Sequence, residues 1–211
     1  MNHANFSVIL IIPSASYRTN PFIDAATKLD INILVITDKS QVFSEYYPDN
    51  VITMNFEHWQ ESIENIHEWS ERYDLKAVIG VDEESIILAA KLSESLCIEH
   101  NSLESVKLTK DKYLMRSELK KSGLKSPWFK RFSVHETPKD IFAELIFPCV
   151  LKPTFLSASQ GVLRVNSFEE FGKGCEMLSD LLAEKKVKKR GGDQANWILV
   201  EEYIPGKEVS I

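Results

Sequence analysis

Residues 147–161 read FPCVLKPTFLSASQG, and residues 197–211 read WILVEEYIPGKEVSI. In the first stretch an apolar run ends on Lys152, so a strand would present that ammonium from its terminus. A loop of small hydroxyl residues closed by Gly161 follows. A fixed positive charge beside hydroxyls and amides that can fold over a polyphosphate suits phosphate binding. Standing alone, the segment reads more simply as a solvent-facing lysine before a surface loop. The second stretch argues otherwise: an apolar strand runs into Glu201-Glu202, an aromatic residue, a Pro-Gly hinge and Glu208. Adjacent carboxylates beside apolar residues are costly unless each has a partner. An exocyclic adenine amine and a ribose diol are donors of the right kind.

Outward from these stretches the chain divides by texture. Residues 7–12 (SVILII) and 31–37 (INILVIT) are short, β-branched and apolar on both faces, which predicts buried strands. Residues 51–56 and 77–81 are further strand candidates. Between them, Trp59, Ile63, Ile66 and Trp69 recur at helical spacing over residues 57–73, with Glu61, Glu64 and Glu68 on the opposite face. Strands alternating with helices imply right-handed crossovers and a parallel sheet. Helices are expected at 85–96 and, as one long element, at 103–122, ended by Gly123 with Pro127 soon after. Beyond that, residues 129–133, 149–152, 162–165 and 198–203 read as strands. A Pro-started helix near Pro138 and a longer helix over 168–186 separate them, the latter opened by a Ser167/Glu170 capping box. This second half reads as an α+β unit.

Composition narrows the class. The chain has 211 residues, 44% hydrophobic and 27% charged, with a net charge of −6. That is a globular balance, and it argues against a general nucleic-acid binder, which needs clustered cations. No apolar run approaches the ~20 residues that span a bilayer, and the N-terminus lacks the basic leader of a secretory signal. Cys97, Cys149 and Cys175 are scattered and odd in number, forming neither a disulfide framework nor a CxxC pair. A cytoplasmic protein is expected, acting on neither membrane nor nucleic acid.

Common chemical motifs are missing. The first β-to-α turn, Pro13-Ser14-Ala15-Ser16-Tyr17, lacks the glycines of a dinucleotide site, which weakens a Rossmann-type oxidoreductase. No P-loop, G-x-S-x-G or HExxH is present, and the five histidines never fall at metal-ligand spacing. Asp38 reads as a turn residue. Asp82-Glu83-Glu84 reads as the acidic first turn of the following helix. Residues 185–190, KKVKKR, read as a helix C-terminus, where the dipole favours cations. Trp59 and Trp69 read as core.

Taken in order, VIGVDEESIILAAKLSESL, TKDKYLMRSELKKSGLKSP, FPCVLKPTFLSASQGVLRV and ILVEEYIPGKEVSI resemble the ATP-grasp superfamily. That superfamily includes biotin carboxylase, D-alanine–D-alanine ligase, carbamoyl-phosphate synthetase and the amino-acid ligases of the carnosine-synthase type. Each motif is weak singly, but four in this order and spacing make a specific signal. The resemblance implies an α/β fold: a small parallel-sheet, Rossmann-like pre-ATP-grasp domain over residues 1–103 and a connecting helix over 104–124. An α+β lid subdomain over 125–200 follows, then an adenine hinge with the start of a further subdomain over 201–211.

The resemblance also implies roles. Lys112 and Lys152 match the family's two nucleotide lysines, the first against the phosphates, the second at the α-phosphate and adenine side. Ser157, Ser159 and Gly161 lie in the phosphate-covering loop, though relatives often carry more glycines there. Glu201 would accept from the adenine amine, the backbone of Tyr203 and Ile204 would meet the adenine edge, and Glu208 would hold the ribose. The implied activity is ATP-dependent joining of a small carboxylate substrate to an amine or related nucleophile through an acyl phosphate. ATP and Mg²⁺ are the implied cofactors, and a homodimer is compatible with the family. The family's magnesium ligands and its catalytic arginine lie well C-terminal to the ribose glutamate, so they are expected beyond residue 211, with the catalytic C-terminal subdomain absent. The chain also stops within an alternating apolar run, Val209-Ser210-Ile211, which suggests a truncated chain that is inactive alone. The competing expectation is a non-catalytic nucleotide-binding or interaction module.

Overall fold

The computed structural model describes residues 6–39, 50–207 and 209, with the side chains of residues 138, 140 and 142 left aside. The chain divides into two compact units, Met1–Lys107 and Leu108–Ile211.

The first unit is built on four parallel strands in the order β3-β2-β1-β4: β1 (Ser7–Ile11), β2 (Asn32–Thr37), β3 (Val51–Thr53) and β4 (Leu75–Gly80). Helices α1 (Thr19–Lys28) and α2 (Ile63–Arg72) make the β1-to-β2 and β3-to-β4 crossovers, and α3 (Ile86–Ser95) follows β4. Side chains on a strand alternate between faces, and here both faces are buried. Ile9, Ile11, Leu34 and Ile36 pack with Ile66 and Trp69 of α2 and Leu88 and Leu92 of α3. Val8, Leu10, Ile33 and Val35 pack on the other side with Ala26 of α1. Trp59 is partly buried against the first cluster.

Local details depart from the periodicity. The helix expected over 57–73 is a 3₁₀ turn (Trp59–Ser62) followed by α2, because Ser62 at φ −109°, ψ 6° interrupts α geometry. Asp82-Glu83-Glu84 lies in the turn before α3, whose first turn holds no acidic residue. Asp38 receives the Ser14 backbone N–H at 2.6 Å and its hydroxyl at 3.1 Å, so it ties together the loops that follow β1 and β2.

The second unit holds an antiparallel sheet in the order β5-β8-β6-β7: β5 (Phe129–Ser133), β6 (Cys149–Pro153), β7 (Leu163–Val165) and β8 (Trp197–Glu202). One face is the core. Cys149, Leu151, Ile198, Val200 and Phe132 pack with Phe171, Cys175, Leu178 and Leu182 of α6 (Phe168–Ala183). Each such fully buried side chain contributes roughly 1.5–3 kcal/mol. The capping box is formed: Ser167 Oγ accepts the Glu170 N–H at 3.2 Å, and the Glu170 carboxylate accepts the Asn166 N–H at 2.8 Å. Those contacts, chiefly with the Asn166 backbone, hold the Glu170 carboxyl below its usual range. The basic run does not end α6. Glu184, at ψ 131°, breaks the helix, and the run forms its own short helix, α7 (Lys185–Gly191).

The element expected as one helix over 103–122 is two: α4 (Leu103–Lys110) and α5 (Lys112–Lys121). Asp111 is extended, at φ −109° and ψ 113°, and its carboxylate caps α5 by accepting the Tyr113 and Leu114 N–H groups at 2.8 and 3.1 Å. Helical periodicity continues across the break, so only the cap geometry reveals it. Gly123 closes α5 at φ +73°, with the Leu124 N–H donating to Leu119 O at 3.0 Å.

Candidate functional site

On the sheet face away from α6, the register brings charged residues together. Val150 pairs with Glu201 and Lys152 with Leu199, so Lys152 and Glu201 are diagonal neighbours on one face. Their side chains form an ion pair with relative exposures of 14% and 9%. The other oxygen of Glu201 is 3.1 Å from Nε of Arg116, which α5 contributes. Lys112 opens α5 and binds twice to the segment that follows β6: its N–H donates to Thr154 O at 2.9 Å and its ammonium to Leu156 O. Asp111 is buried and accepts from Gln194 Nε2 at 2.9 Å. Lys112, Arg116 and Lys152 thus stand with two carboxylates, Asp111 and Glu201, an excess of positive charge that favours an anion. Thr154 Oγ1 is buried and has no hydrogen-bond partner among the described residues. A ligand hydroxyl or phosphate oxygen would satisfy it.

The other expected residues are placed as follows. Phe155 and Leu156 are core side chains, Ser157 and Gly161 are partly buried, and the exposed part of the loop is residues 158–160. Ala158 and Ser159 both have positive φ, at 52° and 58°, a conformation that costs L residues roughly 1–2 kcal/mol each. Gly161, at φ +71°, packs tightly: a Cβ there would sit 2.8 Å from Leu181 Cδ2 and 2.9 Å from Leu178 Cδ2. The Tyr203 N–H donates to Pro148 O at 3.3 Å, and the Arg164 guanidinium lies 4.0 Å above the Tyr203 ring. Ile204 is exposed, and Glu208 lies outside the described residues.

The Glu-Glu pair does not await a ligand for its first partners. Glu201 is held by Lys152 and Arg116, and Glu202 accepts the Trp128 N–H at 3.3 Å. A carboxylate offers about four lone-pair sites, so Glu201 keeps acceptor capacity. Sequence reasoning missed Arg116, Asp111 and Thr154. Arg116 was within reach, being one helical turn after Lys112 and so on the same face. No group of three metal-ligating side chains occurs among the described residues, and no described helix is long and apolar enough to cross a membrane.

Comparison with known proteins agrees with this geometry. Residues 145–211 match the family model described as an ATP-grasp domain. Over 206 residues the chain is 24% identical to alanine–anticapsin ligase of Bacillus subtilis (strain 168), an alignment covering 96% of this chain and 43% of that protein. The structure is similar to that of L-amino acid ligase from Bacillus licheniformis, with a TM-score of 0.68, 20% identity, and coverage of 95% of this chain and 47% of that one. It is similar also to D-alanine–D-alanine ligase from Bacillus anthracis, with a TM-score of 0.61, 18% identity, and coverage of 95% and 58%. The chain therefore spans about half the length of the relatives it matches most fully. Residues 145–211, which hold β6, the following loop and β8, thus match the ATP-grasp domain family, and the chain shares its fold with these ligases.

Proposed function

We propose that this chain is the nucleotide-binding portion of an ATP-dependent ligase that joins a small carboxylate to an amine or related nucleophile. One observation carries the reading: Lys152 and Glu201, which the resemblance implies are the second nucleotide lysine and the adenine glutamate, stand side by side on β6 and β8. The residues fit a nucleotide. Glu201 accepts from the adenine amine with its remaining lone pairs while Arg116 keeps it in place. Lys152 exchanges its contact with Glu201 for a phosphate oxygen, and Lys112, pinned to the Thr154–Leu156 backbone, adds a second cation. The backbone of Tyr203 and Ile204 borders the adenine edge, Glu208 takes the ribose, and Ser157, Ser159 and Gly161 cover the phosphates.

When bound, ATP supplies the phosphoryl group that activates the carboxylate. The contribution of these side chains is positional and electrostatic, as expected for phosphoryl transfer. Mg²⁺ would be held by residues outside those described. Calorimetric titration of ATP tests the reading. Because hydrogen bonds to charged groups contribute about 1.5–3 kcal/mol, Lys152→Ala should weaken ATP binding roughly 10- to 150-fold. Unchanged affinity in a folded Lys152→Ala variant would remove the site assignment.

A further inference from the structure

The chain as a whole is acidic, yet residues 108–131 carry eight Lys and Arg against only Asp111 and Glu118. Several of these cations are committed within the fold: Lys112 to Leu156 O, Arg116 to Glu201 and Lys130 to Glu144. Arg131 is not. Its guanidinium lies 4.3 Å from the centre of the Tyr113 ring and 4.2 Å from that of Trp197, with no carboxylate or carbonyl partner among the described residues. Rings that stack on a guanidinium occupy its faces and hold it in one orientation, which leaves its in-plane N–H fork to a planar oxyanion. Lys120, whose ammonium is 5.9 Å from the Phe129 ring centre, also has no carboxylate partner among the described residues.

These groups border one open groove of about 680 Å³, walled by Tyr113, Phe129 and the polar side of α5. That volume is within the range of small-molecule sites, roughly 300–1,000 Å³. The groove shares a sheet face with the Lys152–Glu201 pair, since Phe129 pairs with Glu201 and Arg131 with Leu199, but Arg131 stands on the edge strand β5, with β8 between it and Lys152 on β6. Lys112 and Arg116 are one turn apart on one stripe of α5, while Tyr113, Ser117 and Lys120 form the neighbouring stripe.

We infer that this groove is a second anion site, independent of the nucleotide site, which binds a small polyanion through bidentate contact with Arg131 and the charge of Lys120. Phosphate and carboxylate groups share the required chemistry, so inorganic pyrophosphate and citrate serve as two separate probes. Each is titrated into the ¹⁵N-labelled chain and followed by backbone amide shifts. The expected result is saturable movement of the amides of Lys120, Phe129, Lys130 and Arg131 by at least one probe, the stronger response identifying the source. Arg131→Gln should weaken that binding at least about tenfold, and Arg131→Lys should do nearly the same, since an ammonium lacks the fork. The exposed change Lys120→Gln should weaken it several-fold without altering the melting temperature, and Lys152→Ala should leave it unchanged. The inference is overturned if neither probe moves these amides at about 10 mM, where a millimolar site is mostly filled. It is equally overturned if Lys152→Ala abolishes the response, or if Lys120→Gln and Arg131→Lys both bind as the parent chain does.

Discussion

Lys152 on β6 and Glu201 on β8 form an ion pair diagonally across the sheet of the second unit, and Arg116 from α5 holds the other oxygen of the same carboxylate. The sharing is unequal in consequence. Glu201 is the common partner, so its removal strands two largely buried cations, whereas loss of Arg116 leaves the Lys152 contact intact. Breaking a buried pair by removing one partner costs about 3–5 kcal/mol when burial is complete. With Arg116 at 23% exposure, we expect Glu201→Gln to destabilise the second unit by about 2–4 kcal/mol and Arg116→Met by about half as much. Urea denaturation of the two variants checks the order. Equal losses would mean that Glu201 is not the hub.

Asp111 has two structural duties, capping α5 and accepting from Gln194. A lost N-cap costs about 0.5–2 kcal/mol, and the part-buried Gln194 amide left without its acceptor adds at most about 1–3 kcal/mol. Asp111→Ala should therefore lower stability by about 2–4 kcal/mol. Asp111→Asn, which retains a capping oxygen, should lose less than half of that. If the alanine variant unfolds at the parent's urea midpoint, the cap is not supporting α5.

Two glycines should respond in opposite directions. At Gly161 the backbone is left-handed and a Cβ would meet Leu178 and Leu181 under 3 Å away, so Gly161→Ala should destabilise by about 1–3 kcal/mol. Gly172 lies within α6 with nothing within 4 Å of its would-be Cβ. Gly172→Ala should stabilise by about 0.5–1 kcal/mol through helix propensity. A thermal melt of each single variant distinguishes the signs.

The cysteines should separate by reactivity. Cys97 is exposed, whereas burial pushes the Cys149 thiol up to about 11 and, as the leading cause, the Cys175 thiol up to about 12. A disulfide reagent at pH 8 should label one thiol in the folded chain and three in denaturant. The linkage follows the same sign. An unfolded thiol ionises near pH 8.5, so between that pH and the raised folded values the unfolded state binds fewer protons. Stability contributed by these thiols is present below about pH 8.5 and declines as pH rises toward the folded values. Urea midpoints that rise between pH 8 and 10 in the parent, relative to a variant with both buried cysteines replaced by alanine, would contradict this.

Much of the fold was legible because it is local. Residues 8–12 and 33–36 are apolar at every position, and that pattern requires a strand with both faces covered, as β1 and β2 are. The capping box at Ser167 and the glycine cap at Gly123 were read correctly because their hydrogen bonds join residues a few positions apart. The breaks at Asp111 and Glu184 were not readable, since amphipathic spacing runs through both and the interruption resides in backbone angles. For the same reason the basic run at 185–190 meets a helix C-terminus in α7, where Lys188, Lys189 and Arg190 form the last turn, rather than at the end of α6.

The sequence by itself determined the class of each segment, the order of its motifs and the identity of the charged residues at the ends of β6 and β8. Local periodicity, caps and turns need only near neighbours, and those are written consecutively. Only the tertiary structure decided which charges meet. Lys152 and Glu201 are 49 residues apart, and Arg116 and Glu201 are 85 apart. The antiparallel register of β6 with β8 and the docking of α5 bring them within bonding distance. The same pairing explains why Glu201 tolerates burial: its counter-charges come from the fold itself, and no composition or spacing rule specifies which cations will supply them.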